Sequence, residues 1–108
     1  MKRFHISVLV SSLMLCGAGQ PSSEEVVARA NGCFDCHKMN ELGIGPSFHD
    51  IARRYRGNEG AKAALVEVVK KGGKGNWTAV TKGVPMPHYS PRISDQEIEQ
   101  LVDWVLGQ

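Results

Sequence analysis

The stretch Cys33-Phe34-Asp35-Cys36-His37 carries the most specific chemical signal in this sequence. Two cysteines with two residues between them, followed at once by histidine, form the pattern for covalent haem attachment. If the stretch is one turn of helix, both thiols can reach the two vinyl groups along one edge of a porphyrin, and the adjacent imidazole can turn toward the iron. The pattern predicts Cys33 and Cys36 as thioether anchors and His37 as the proximal iron ligand.

Two other kinds of site use the same cysteine spacing, namely redox dithiols and zinc sites. A redox dithiol would follow a β-strand, whereas the residues before Cys33 have a helical pattern. A structural zinc site would need a second pair of ligands, and no cysteine follows Cys36. The other histidines, His5, His49 and His88, lack zinc-finger spacing. The sequence therefore favours haem.

The length of 108 residues predicts a single small domain. A domain of this size buries little surface, so a cofactor that adds apolar volume would stabilise it. The aromatic content is low at 6%. No segment approaches the roughly 20 apolar residues of a membrane-spanning helix.

The amino-terminal residues have the pattern of an export signal. Lys2 and Arg3 precede an apolar run over residues 6–15, and small residues follow it. We expect a signal peptide over residues 1–18 and a mature domain over residues 19–108, located in the periplasm. Cys16 leaves open a lipoprotein anchor, although Leu15 is larger than the residue that a lipoprotein signal prefers before its cysteine. With Cys16 removed, the two motif cysteines leave no disulfide framework.

Charge in the mature chain is balanced but uneven. Removal of Lys2 and Arg3 leaves eleven of the thirteen basic residues against eleven acidic ones. Eight basic residues lie between Arg53 and Lys82, and residues 94–108 hold four acidic residues and no basic one. This distribution is typical of solvated helix faces, with a basic docking surface for an acidic redox partner as the alternative. Nothing in it indicates nucleic acid binding.

Four helices are expected from apolar spacing and capping patterns. They cover about residues 23–31, a segment from Ser47 to before Gly57, about residues 60–71, and a segment from Ser94 to Gly107. The apolar stripe of the third is predicted to comprise Ala61, Ala64, Leu65, Val68 and Val69. The last helix should pack on the first, where Ala28 or Ala30 would allow close approach.

Residues 73–92 show neither helical nor alternating periodicity, and so long a loop in a small domain indicates a function. Met86 lies in it between two prolines, and a methionine thioether opposite a histidine is an axial pair of haem iron. Met39 is too close to His37 to reach across the ring. We therefore predict Met86 as the sixth ligand, with His88 as its rival. Pro46 is a candidate to accept the free ring N–H of His37, or is a plain turn proline.

The motifs CFDCH, GIGPSF, VPMP and WVLGQ, in this order and flanked by helices, resemble the short bacterial class I cytochromes c. The resemblance is strongest to small periplasmic electron donors of nitrite reductases and terminal oxidases. It implies an all-α fold of about four helices around one covalent haem, with the first and last helices crossing. It also implies His37 and Met86 as axial ligands, Pro46 as the residue that orients His37, and Trp77 near a propionate. Two departures are an apparent insertion, Thr78 to Gly83, and Val68 where some relatives have a basic residue.

The expected function is one-electron transfer between Fe(II) and Fe(III), with no substrate position at the iron and hence no catalysis. Redox partners would be a periplasmic reductase, an oxidase or a membrane electron-transport complex. Two alternatives stay open: a haem sensor or peroxidase-like protein with a labile Met86, and a haem subunit of a larger oxidoreductase.

Overall fold

A computed structural model describes residues 8–12 and 19–108 of the chain. Much of the predicted signal peptide, including Cys16, lies outside the described residues. Over the described ranges the regular structure is helical, and no helix there is long and apolar enough to cross a membrane. The helices are α1 (Ser23–Ala30), α2 (Cys33–Cys36), α3 (Phe48–Tyr55), α4 (Ala61–Lys71), α5 (Thr78–Thr81) and α6 (Asp95–Leu106).

The four longer helices, α1, α3, α4 and α6, are those that the sequence predicts, with ends shifted by one or two residues. Three of them begin at a serine whose hydroxyl accepts a backbone N–H three residues later. The pairs are Ser22 with Glu25 at 3.1 Å, Ser47 with Asp50 at 3.0 Å and Ser94 with Glu97 at 3.2 Å. These contacts satisfy amide groups that the first helical turn leaves free.

The one-turn helix α5 corrects the expectation that residues 73–92 lack regular structure. The amides of Val80 and Thr81 both donate to the carbonyl of Trp77, each at 2.9 Å. A single turn is too short to show a helical repeat of apolar residues, so periodicity could not detect it.

Helix α6 is the centre of the packing and contacts α1, α3 and α4. Its residues Ile98, Leu101 and Val102 are buried. Ala28 of α1 belongs to the same cluster and is 1% exposed, whereas Ala30 is exposed. The expected contact between the first and last helices is therefore present, and Ala28 is the small residue that permits it.

The predicted stripe of α4 is wrong at two positions. Ala64 is exposed, and Val66, which the stripe omits, is 6% exposed. The reason is that α4 buries two sides at once. Val66 packs in the cluster around α6, while Leu65 and Val68 face a neighbouring cleft.

The segment before α6 adds Tyr89 and Ile93 to this core, at 6% and 2% exposure. The amide of Tyr89 donates to the carbonyl of Val69 at 3.1 Å, and that of Ser90 to the carbonyl of Lys70 at 3.3 Å. The long loop is therefore attached to the carboxyl-terminal end of α4.

Replacing Ala28 with leucine should lower the free energy of unfolding by about 1–3 kcal/mol, because the added carbons have no space between α1 and α6. Denaturant unfolding of the haem-loaded protein measures this change. The matched control is Ala30→Leu, on an exposed position of the same helix, which should stay within about 0.5 kcal/mol. Equal losses in both variants would show that the contact is not tight.

Candidate functional site

An apolar cleft lies between the helices and two loops, one that joins α2 to α3 and one that follows α4. The six residues that the sequence analysis assigned to haem binding all line it. These are Cys33, Cys36, His37, Pro46, Trp77 and Met86. The cleft contains about 1170 Å³ of empty space, including its part open to solvent. A cleft of this extent, lined mostly by apolar side chains, fits a large apolar ligand better than a single ion.

The cysteine motif forms the predicted single turn, α2. Gly32 precedes it with a φ of 77°, a left-handed conformation that glycine adopts without strain. The amide of His37 donates to the carbonyl of Cys33 at 2.9 Å, which closes the turn. Burial raises the pKa of the Cys33 thiol. Both cysteines thus lie on one turn at the cleft wall.

His37 is held by the hydrogen bond that the sequence suggested. Its Nδ1 lies 2.7 Å from the carbonyl oxygen of Pro46. Since a carbonyl only accepts, Nδ1 must carry the hydrogen and donate it, which leaves Nε2 with a free lone pair. Burial lowers the pKa of His37 despite the opposing effect of the Pro46 contact, which favours the neutral form of the ring. A neutral imidazole with a free Nε2 is the form that binds iron.

Gly45 allows the loop between α2 and α3 to come close to the His37 ring. A Cβ atom there would lie 2.8 Å from Cε1 of His37 and 3.0 Å from Nδ1. The amide of Gly45 also donates to the carbonyl of Cys36 at 2.9 Å. Only glycine lets the backbone pass against the imidazole at this distance.

Aromatic contacts around His37 were not predicted from the sequence. Phe48 stacks on the imidazole with centroids 5.4 Å apart and 26° between the planes. Phe34, inside the motif, packs against Phe48 in a T-shaped arrangement with ring centroids 5.2 Å apart. Trp104 of α6 packs against Phe48 in the same way, also with centroids 5.2 Å apart. The sequence shows that Phe34 is aromatic, but it does not show which rings Phe34 contacts. These rings connect α2, α3 and α6 behind the imidazole.

Met86 is half-buried at the cleft and packs against the core. The amide of Gly73 donates to the carbonyl of Met86 at 2.9 Å, and the amide of Met86 donates to the carbonyl of Gly73 at 2.8 Å. A Cβ on the preceding Gly72, which has a φ of 71°, would lie 2.5 Å from the Met86 oxygen. The Gly72-Gly73 pair directly follows α4, and Gly72 is its C-cap residue. The structure shows that the pair also holds the methionine backbone.

Trp77 is half-buried at the cleft and is fixed from α3. The Arg54 guanidinium lies 4.4 Å from the indole centroid and donates to the carbonyl of Asn76 at 3.0 Å. Tyr55 packs against the indole in a T-shaped arrangement, with ring centroids 6.5 Å apart. The predicted contact between Trp77 and a propionate stays a prediction.

The residues that the sequence ranked lower lie elsewhere. His88 is exposed, and Met39 and His49 are half-buried, but none of the three is part of the cleft wall.

The described residues contain no group of three or more His, Cys, Asp or Glu side chains that could hold a bare metal ion. The cleft instead offers two thiols, one free imidazole nitrogen and one thioether within apolar walls. This donor set fits an iron already ligated by a porphyrin, with the thiols on the ring edge, and does not fit zinc.

The family described as Cytochrome c matches residues 25–108 of the chain. The chain is 32% identical to cytochrome c-551 of Pseudomonas aeruginosa over 95% of its own length and 93% of the relative. It is 34% identical to cytochrome c-552 of Hydrogenobacter thermophilus over 99% of its own length and 98% of the relative. The crystal structure of cytochrome c552 from Nitrosomonas europaea is similar with a TM-score of 0.67 and 31% identity, covering 77% of this chain and 96% of that one.

Replacing Gly45 with alanine should displace the His37 ring and weaken its hydrogen bond to Pro46. We expect exchange of the Nδ1 hydrogen, followed by NMR on the haem-loaded protein, to be at least about tenfold faster, as for loss of one hydrogen bond. The control is Gly60→Ala, whose added methyl would lie 3.6 Å from Asn58 Oδ1, which is an ordinary van der Waals distance. This variant should leave the exchange unchanged. Unchanged exchange in Gly45→Ala would contradict the close approach.

Proposed function

Because the chain belongs to the cytochrome c family, whose cofactor is covalently attached haem c, we propose that it carries single electrons through a haem iron held by His37 and Met86. One observation supports this best: His37, whose Nδ1 is bound to Pro46, lines the same apolar cleft as Met86, Cys33 and Cys36. When bound, the haem supplies an iron that alternates between Fe(II) and Fe(III).

Cys33 and Cys36 would form the two thioether bonds. Both lie on the single turn α2, so the ring edge they hold is fixed to the end of α1. Attachment at two points also prevents the ring from rotating in the cleft. His37 follows the second cysteine directly, so its imidazole would lie within reach of the iron.

The axial pair would tune the iron in opposite directions. The Met86 thioether favours ferrous iron and raises the reduction potential. Pro46, by accepting the Nδ1 hydrogen, makes the His37 imidazole a stronger donor, which favours ferric iron. With His37 and Met86 both holding the iron, no position would remain there for a substrate, so the chain would act as a carrier rather than an enzyme.

Electron exchange with another protein requires a part of the ring near the surface. Ile44 and Val84 line the cleft and are 52% and 50% exposed, so they mark its apolar rim. Lys74 also lines the cleft and is exposed. We infer that this rim meets the redox partner, for which a periplasmic reductase, an oxidase or a membrane electron-transport complex are the candidate classes.

Replacing Met86 with alanine should remove the near-infrared charge-transfer band of the ferric protein and lower its reduction potential, because the sulfur ligand is lost. A spectrally monitored redox titration measures both quantities. Met39→Ala is the matched control, since Met39 is half-buried outside the cleft wall, and it should keep the band.

The same assignment predicts that the unmodified protein binds carbon monoxide and cyanide slowly, since Met86 must leave first. Rapid binding by the unmodified protein, or an unchanged spectrum in Met86→Ala, would contradict the ligand assignment. It would favour a sensor or peroxidase-like protein instead.

We also propose that residues 1–18 are a signal peptide and that residues 19–108 are the mature periplasmic domain. The matched family region begins at residue 25, after this predicted boundary. Mass spectrometry of the protein purified from the periplasm should give the mass of residues 19–108, within a couple of residues, plus one haem. A mass starting at Cys16 with attached lipid would show a lipoprotein and overturn this cleavage site.

A further inference from the structure

Residues 74–84, called the cover segment below, start and end at the same point of the fold. Gly73 and Met86 pair through two backbone hydrogen bonds, so the chain between them leaves and returns beside the end of α4. The cover segment contains α5, and its residues Trp77 and Val84 belong to the cleft wall that also contains Met86. None of its residues, all of which the structure describes, is buried. The cover segment therefore has no core of its own.

Both ends of the cover segment have backbone conformations that suit hinges. Gly75 and Gly83 have φ values of 59° and 81°, and Lys82 has a φ of 55°, all in the left-handed region. A Cβ added at Gly75 or at Gly83 would meet no atom within 4 Å beyond its chain neighbours. Because the space around these two glycines is open, the backbone can rotate there, and α5 can move as one unit between them.

The backbone hydrogen bonds of the cover segment are internal. The amides of Val80 and Thr81 donate to the carbonyl of Trp77, both at 2.9 Å, and the amide of Val84 donates to the carbonyl of Thr81 at 3.1 Å. These bonds hold α5 and the turn after it together. They do not attach the cover segment to the other helices of the described chain.

One side chain of α3 makes that attachment. The Arg54 guanidinium lies 4.4 Å from the Trp77 indole centroid and donates to the carbonyl of Asn76 at 3.0 Å. Within the part of the chain that the structure describes, this is the one side-chain hydrogen bond that joins the cover segment to other residues. Tyr55 adds a ring contact to the same indole, with centroids 6.5 Å apart. Arg54 thus supplies two of the contacts that hold α5 against α3.

We propose that the cover segment is a lid over the Met86 side of the cleft and that Arg54 holds it closed. The proposal rests on the proposed haem-carrying function. Since the cover segment has neither a core nor backbone hydrogen bonds to the helices, its closed position depends on the few contacts that Arg54 and Tyr55 make. Arg54 would touch neither the iron nor its ligands, so it is a positioning residue. Opening would let small molecules reach the iron and compete with Met86.

The base of the lid stays in place when the lid opens. The two hydrogen bonds between Gly73 and Met86 involve no residue of the cover segment, so rotation at Gly75 and Gly83 leaves them intact. Weakening the Arg54 contacts should therefore change how fast an added ligand reaches the iron. It should not change the ligands of the iron in the resting protein.

The test measures the rate at which cyanide binds to the ferric haem-loaded protein at neutral pH, where the probe is mainly uncharged hydrogen cyanide. In Arg54→Met, which loses the guanidinium but keeps a long side chain, binding should be about tenfold faster, as for loss of one cation–π contact and one hydrogen bond. The matched control is Arg53→Met. It removes an equal charge from the neighbouring exposed residue, which pairs with Asp50 at 2.8 Å, and its rate should equal that of the unmodified protein.

The near-infrared band of the same ferric samples reports Met86 ligation, and it should be retained in both variants. Equal cyanide rates in Arg54→Met and Arg53→Met would overturn the lid proposal. A faster rate accompanied by loss of the band in Arg54→Met would also overturn it, because Met86 itself would then have been displaced. A band that is missing from the unmodified protein refutes the proposed axial pair instead.

Discussion

The hydrogen bond between His37 Nδ1 and the Pro46 carbonyl constrains much of the surrounding structure. To bring that carbonyl to the ring, the loop after the motif must fold back, with the amide of Gly45 on the carbonyl of Cys36 and the amide of Phe48 on that of Lys38. Phe48 is also the first residue of α3 and stacks on the imidazole. The Ser47 cap sets the first residue of α3, and Phe48 then links that helix start to the orientation of the imidazole.

The helices do not form a complete core by themselves. Helix α6 gathers α1, α3 and α4 on one side, while the apolar residues Leu65, Val68 and Val69 of α4 face the cleft. A chain of this length buries limited surface, and an apolar face left open to water contributes nothing to stability. We infer that the ring completes the core, so that cofactor attachment and folding are coupled. The two thioether bonds then fix the ring relative to the chain.

The sequence predicts those features that depend on residues close together in the chain. The serine caps at Ser22, Ser47 and Ser94 and the one-turn motif are local, and the structure contains them. The misses depend on distant partners. Val66 is buried because α4 packs on two sides, and a stripe drawn for a single face omits it. The pairing of Gly73 with Met86 joins residues whose separation no periodic pattern reveals.

This pairing also explains how a long, irregular loop can hold Met86 in one position. The prolines beside Met86 restrict its backbone angles, but they do not connect it to the rest of the molecule. The connection comes from two sets of backbone hydrogen bonds. Met86 itself pairs with Gly73, and Tyr89, three residues later, donates to Val69 at the end of α4. The Met86 backbone is thereby attached to α4, which packs on α6. His37 is held by the carbonyl of Pro46, next to α3, and the Met86 backbone is held by Gly73, next to α4. If these two side chains bind the iron, as proposed above, the iron environment can stay nearly unchanged between its two oxidation states, which is what rapid electron exchange requires.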